Sequence, residues 1–146
     1  MPIANSLFFP VVFILYSCSS AKTVKNCEEC NTVIAIRAIN ENNISEQLID
    51  TLFCTSADSC LKNAEFMEVY NEALFVCLGK KPGIFVQQLA RSYRKKFILK
   101  QLESPVIDTI NIQKIIGELE KTAQKNTGTY NKILQALKLA LKKYNN

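Results

Sequence analysis

Apolar residues recur at helical intervals along most of this chain. After Cys30, the positions Val33, Ile36 and Ile39, then Ile44 and Leu48, keep the spacing of one helix face. Glu41-Asn42-Asn43 interrupts the run, so the first helix is expected to be broken there or polar on that side. A loop rich in Ser, Thr and Asp follows and carries Cys54 and Cys60. A second helix reads from about Leu61 to Leu78, with Phe66, Tyr70, Ala73, Leu74 and Cys77 on one stripe. Gly79 supplies its stop and Pro82 reinforces it.

The third helix starts near Gly83 and ends before Ser104-Pro105. Val86, Leu89, Ala90, Tyr93 and Phe97 form its apolar stripe. Arg91, Arg94 and Lys95 project from the opposite side, with Lys96 and Lys100 on a flank. Pro105 to Thr109 is β-branched and reads as an extended crossover strand. Ile112, Ile115, Ile116 and Leu119 make a further helical stripe, which Asn126-Thr127-Gly128 interrupts. A last segment carries Tyr130, Ile133, Leu134, Leu137, Leu141 and Tyr144. These final segments read as one bent helix or as two. The architecture expected is all-α, with four or five amphipathic helices around one core.

The amino terminus follows another pattern. Leu7 to Tyr16 is an apolar run of about signal-peptide length, and Ser19-Ser20-Ala21 offers small residues for a peptidase. Residues 1–21 are read as a signal peptide cleaved after Ala21, leaving 22–146 as one secreted, extracellular domain. The run falls short of the roughly 20 residues of a membrane span. Met1 to Ser6 lacks the usual Lys or Arg. A rival reading makes Leu15-Tyr16-Ser17-Cys18 a bacterial lipidation box with Cys18 acylated.

Export gives the cysteines a meaning. Cys27, Cys30, Cys54, Cys60 and Cys77 remain after cleavage, and in an oxidising compartment they should pair. Two bridges are expected, tying the first helix and the following loop to the second helix, with one cysteine left over or available for an intermolecular bridge. Cys27-Glu-Glu-Cys30 has the spacing of a redox or zinc motif. No strand precedes it, and the chain has no histidine to complete a metal set, so it reads as two separate structural half-cystines. Asn43-Ile44-Ser45 is the one N-glycosylation sequon, which makes Asn43 a candidate glycan site.

Charge divides the chain. Up to Phe75 acidic residues outnumber basic ones nine to four; from Val76 onward basic residues lead fourteen to four. A basic face on an exported bundle suits an acidic receptor, an anionic membrane or heparin-like glycans, and no nucleic-acid partner is expected outside the cell. The terminal lysines Lys138, Lys142 and Lys143 can be simple solubilising charges. In Arg91-Ser-Tyr-Arg94-Lys95-Lys96, two arginines with Tyr93 beside them have the character of a contact surface, since guanidinium favours planar contact with carboxylates.

The Cys77-Leu78-Gly79 turn, the Gln87-Gln88 pair and the basic helix after them resemble the interleukin-4/interleukin-13 family of short-chain four-helical cytokines. Val106 to Thr109 leading into an Ile-rich helix is similar to the strand and fourth helix of interleukin-13, and Asn126 to Tyr144, with its Lys143-Tyr144 pair, to the fourth helix of interleukin-4. The resemblance spans most of the mature chain and rests on short motifs. It implies an up-up-down-down four-helix bundle, with or without a fifth C-terminal helix, stapled by disulfides. It also implies a Cys54–Cys77 bridge beside bridged Cys30 and Cys60. It implies binding and assembly of cell-surface receptor chains, with Arg91, Arg94 and Lys95 on an acidic receptor and Tyr144 on a second chain. Three features depart from the family pattern: no cysteine near the start of the second helix, an odd cysteine count, and an extra C-terminal segment.

Without histidine the commonest general base is missing, and neither Glu28-Glu29 nor Glu118 with Glu120 forms a recognisable catalytic pair. No enzyme activity, cofactor or metal is expected. Two other classes fit: a saposin-like, lipid-binding helical bundle, from which the confinement of the cysteines to the first half departs, and a secreted effector with a protein target of its own.

Overall fold

The structure, a computed structural model, describes residues 27–125 and 127–144 of the 146-residue chain. The expected signal peptide, its cleavage point and Cys18 lie outside the described residues. The described part is all-helical, with seven α-helices: α1 Thr32–Asn40, α2 Glu46–Thr55, α3 Ala64–Lys80, α4 Pro82–Arg91, α5 Lys95–Leu102, α6 Ile112–Leu119 and α7 Gly128–Tyr144. A short 3-10 helix, Asp58–Lys62, joins α2 to α3.

Side chains start most of these helices. Asn31, Ser45, Asn63 and Asn111 each accept a hydrogen bond from the amide three residues on, at the heads of α1, α2, α3 and α6. Thr127 does the same for the Tyr130 amide in α7. Pro82 occupies the first turn of α4, where its missing amide proton costs nothing. It is Pro82 that ends α3: Gly79 continues the helix with ordinary backbone angles, so the stop falls two residues later than Gly79 suggested.

α3 is the central helix and packs on α1, α4, α5 and α6. Phe66, Tyr70, Ala73, Leu74, Phe75, Cys77 and Leu78 are all buried, so apolar residues lie around most of its circumference rather than on one stripe. Phe53 of α2 meets Phe85 of α4 edge to face at 4.9 Å, and Tyr70 lies between Phe66 and Phe97 at 5.2 and 6.2 Å. α1 turns a different face inward from the one expected. Ala35 and Ala38 are fully covered, while Val33 and Ile36 are 72% and 46% exposed. Small residues let α1 approach α3 closely, and that contact outweighs the larger side chains on the other side.

Hydrogen bonds fix chain directions. Ser59 bonds to Glu29 near the starts of α1 and α3, and the Lys80 ammonium donates to the carbonyls of Ile39 and Glu41 near their ends. These two helices therefore run the same way. α5 and α7 are also co-directional: Lys95 and Lys132 line one cleft at their starts, and Lys143 donates to Glu103 and Ser104 at their ends.

The open alternatives resolve toward separate helices: the first segment breaks at 41–43 into α1 and α2, and the final segments are two helices, α6 and α7. Two expected elements come out differently. The third amphipathic segment is two helices, α4 and α5, rather than one. Among the described residues there is no strand; 105–109 is a chain of bends and turns. The reason is Asn71, fully buried on α3. Its side-chain oxygen accepts from the Val106 amide at 3.0 Å, and its amide donates to the carbonyls of Gln101 and Ser104 at 3.0 and 3.4 Å. Those backbone groups are satisfied by one side chain, so β-branched residues here have no ladder to join.

The disulfides join Cys27 to Cys54 and Cys30 to Cys60. The Cys54–Cys77 bridge implied by the family resemblance is not formed. Cys77 faces the core from α3 with its thiol unbridged, so it is no candidate for an intermolecular bridge either. The expected ties to the second helix are thus absent; both bridges hold the segment before α1 to the end of α2 and to the 3-10 helix. Cys30 takes a left-handed backbone (φ 57°), held by its bridge and by a 2.9 Å bond from its amide to the Thr55 carbonyl. No described helix is long and apolar enough to cross a membrane.

Candidate functional site

The sequence concentrates Arg91, Tyr93, Arg94, Lys95 and Lys96 where α4 gives way to α5. Ser92 makes the break. It takes an extended conformation (ψ 132°), and its hydroxyl accepts the Arg94 amide at 3.1 Å. The break leaves Ser92, Tyr93 and Arg94 outside both helices and rotates α5 against α4. Ala90 and Tyr93 consequently leave the apolar stripe on which they were placed and become exposed.

The break also divides the cations between two concave surfaces. The first lies between α5 and the 3-10 helix, a groove of about 380 Å³ lined by Asp58, Leu61, Tyr93, Arg94, Lys96, Phe97, Lys100 and Gln101. Tyr93 is 74% exposed and Leu61 56% exposed at its rim. The Tyr93 hydroxyl is 3.7 Å from the Cys54 sulfur, and the Arg94 guanidinium lies over its ring at 4.8 Å. Arg94 also reaches the Glu29 carboxylate at 3.6 Å, and its side chain is only 24% exposed. Arg94 therefore holds Tyr93 in place more than it projects outward, a role its position in the sequence did not reveal.

The second surface lies between α4, α5 and the start of α7. It is a cleft of about 440 Å³ lined in part by Arg91, Lys95, Lys132, Gln87, Gln124 and Thr129. Arg91 is 71% exposed and forms an ion pair at 3.7 Å with Glu46, whose carboxylate accepts a hydrogen bond from the buried Gln88. An ion pair that long and that exposed contributes well under about 1 kcal/mol. Arg91 can exchange it for an external anion at little cost.

The four residues assigned to receptor contact are thus not one site. Arg91 and Lys95 share the α7 cleft, Arg94 packs against Tyr93 on the opposite groove, and Tyr144 closes α7 with a side chain outside the described residues. Leu61, Lys100 and Lys132 join these surfaces through the tertiary fold alone. Asn43, the sequon residue, is exposed in the α1–α2 connection, and Ser45 of the same sequon caps α2.

Among the described residues no group of three or more His, Cys, Asp or Glu side chains is placed to hold a metal ion. The buried nucleophile Cys77 lies away from both surfaces, and desolvation pushes its thiol up to about 12. No known protein family matches the sequence, and no curated protein or solved structure matches this chain.

Proposed function

We propose that this chain is a secreted helical ligand that acts by binding cell-surface receptor chains, in the manner of the short-chain four-helical cytokines, and is not an enzyme. The observation that carries the reading is Tyr93. A large aromatic side chain held three-quarters exposed at a helix break, steadied by an arginine and ringed by Leu61, Lys96 and Lys100, has the composition of a protein-binding hot spot. The lysines favour a partner with carboxylates around an apolar pocket.

Two further features support a bundle of the up-up-down-down type. α1 and α3 form one co-directional pair and α5 and α7 another, with α2 and α6 lying in the connections. The reading does not rest on the Cys54–Cys77 bridge, which the fold does not make. Two disulfides suit an oxidising, extracellular setting, and there the exposed Asn43 would carry a glycan.

The test is capture of surface proteins from living cells by the disulfide-bonded mature chain, with bound proteins read by mass spectrometry. Tyr93→Ala should weaken the captured interaction by about 30-fold or more, the mark of a hot spot worth roughly 2 kcal/mol. Helical circular dichroism should be unchanged. Equal affinity in wild type and Tyr93→Ala would remove the role given to this groove.

A further inference from the structure

The cleft on the other side of the helix break has a different chemistry. Residues 82–102 contain five Lys or Arg and no Asp or Glu; residues 121–146 contain six and again no acid. The intervening segment carries Glu103, Asp108, Glu118 and Glu120, so the two acid-free stretches are separate in sequence. The fold closes that gap by packing α4 and α5 against α7. At the junction Arg91, Lys95 and Lys132 line the 440 Å³ cleft, and no carboxylate is among its described lining residues. Glu46 approaches only Arg91, from the α2 side.

Beyond the cleft Lys138 and Lys142 line an adjoining face of α7, roughly 80–120° around the helix from Lys132 at 3.6 residues per turn, and Lys143 follows at its end, where it donates to Glu103 and Ser104. The axial distance from Lys132 to Lys143 is about 17 Å at 1.5 Å per residue. None of the ion pairs found among the described residues involves α7. Lys132, Lys138 and Lys142 thus form no ion pair among the described residues, and an external polyanion relieves their mutual repulsion.

We infer that the α4–α5–α7 face binds a sulfated polysaccharide, with one sulfate group seated in the cleft among Arg91, Lys95 and Lys132 and the chain running along α7. Concavity favours this ligand over a lipid surface, because a flat headgroup plane cannot place its phosphates inside a cleft. The absence of aromatic side chains from the cleft lining disfavours single-stranded nucleic acid, which binds by stacking bases on such rings. The inference rests on the exported reading of the chain but not on any receptor, and it uses a surface separate from the Tyr93 groove.

The test is binding of the full mature chain to a heparin oligosaccharide by surface plasmon resonance, beside desulfated heparin and phosphatidylserine vesicles. Wild type should bind heparin with an affinity that falls steeply with salt and should bind desulfated heparin at least about tenfold more weakly. Lys95→Gln with Lys132→Gln should lose about tenfold or more, on the basis of the effect of each cation near an anionic surface. Lys95→Arg with Lys132→Arg should restore binding, which separates lost charge from a disturbed fold. Tyr93→Ala should bind heparin normally, so failure of the receptor reading would leave this result intact. Equal binding by the Gln double variant, equal binding to desulfated heparin, or stronger retention on vesicles than on heparin would each overturn the inference.

Discussion

Replacing Asn71 with leucine tests how the third and later helices are held. The side chain is fully buried and makes three hydrogen bonds to backbone groups at the end of α5 and the bend after it. Leucine has similar volume but no polar atoms. It leaves the Val106 amide and the Gln101 and Ser104 carbonyls without their partner. Each buried backbone group so stranded costs about 1–3 kcal/mol, less where water can reach it. Ser104 and Val106 are exposed, so relaxation to solvent recovers part of the loss. A net destabilisation of about 2–4 kcal/mol follows. Urea denaturation followed by circular dichroism should show a lower midpoint with an unchanged slope, and the melting temperature should fall by roughly 10 °C. Asn71→Asp should also destabilise, since it keeps the acceptor for Val106 but places negative charge on two carbonyls. A loss below about 0.5 kcal/mol in the leucine variant would show that the clamp is not what holds the 103–111 connection.

Two other outcomes follow from the cysteines. Non-reducing peptide mapping should recover Cys27–Cys54 and Cys30–Cys60, and Cys27→Ser with Cys54→Ser should cost about 3.5 kcal/mol, the loop-closure entropy of the 27-residue separation. Cys77 should resist alkylation in the native protein at pH 8 and react once guanidinium unfolds it. Its neutral thiol persists in the fold to about pH 12, whereas in the unfolded chain it ionises near about 8.5. The unfolded chain therefore holds fewer protons above that point. The associated stability is intact below about pH 8.5 and drains away by about 1 kcal/mol per pH unit up to the folded value. Burial shifts Tyr70 in the same direction, so it steepens the alkaline loss. Cys77→Ala should flatten the slope between pH 9 and pH 10; an identical slope would deny Cys77 this part.

Helix content was legible because it depends on local spacing. The stripe from Phe66 to Cys77, the interruption at Glu41-Asn42-Asn43 and the Asn126–Gly128 gap all mark real boundaries. What sequence could not supply was tertiary. Val106-Ile107 favours a strand in isolation, yet a buried asparagine 35 residues away takes the Val106 amide. Val33 and Ile36 have the hydrophobicity of core residues, yet the alanines beside them win the contact with α3. Five cysteines allow many pairings, and only the fold brings Cys54 to Cys27 while enclosing Cys77. The basic segment was visible as charge, but its division into two surfaces hangs on the three-residue break Ser92-Tyr93-Arg94, which Ser92 opens. Of the candidate contact residues, Tyr93 was in plain sight. Lys132 was not, because it belongs to the site only through the packing of α7 beside α5.

Covalent reinforcement ends at residue 60. Everything after it is kept in place by interdigitated side chains and a few backbone clamps. Even in a denatured chain the two loops near the amino terminus stay closed, while α4 to α7 are at full liberty. The protein therefore has an anchored end and a releasable end, and it is the releasable end that bears most of its positive charge.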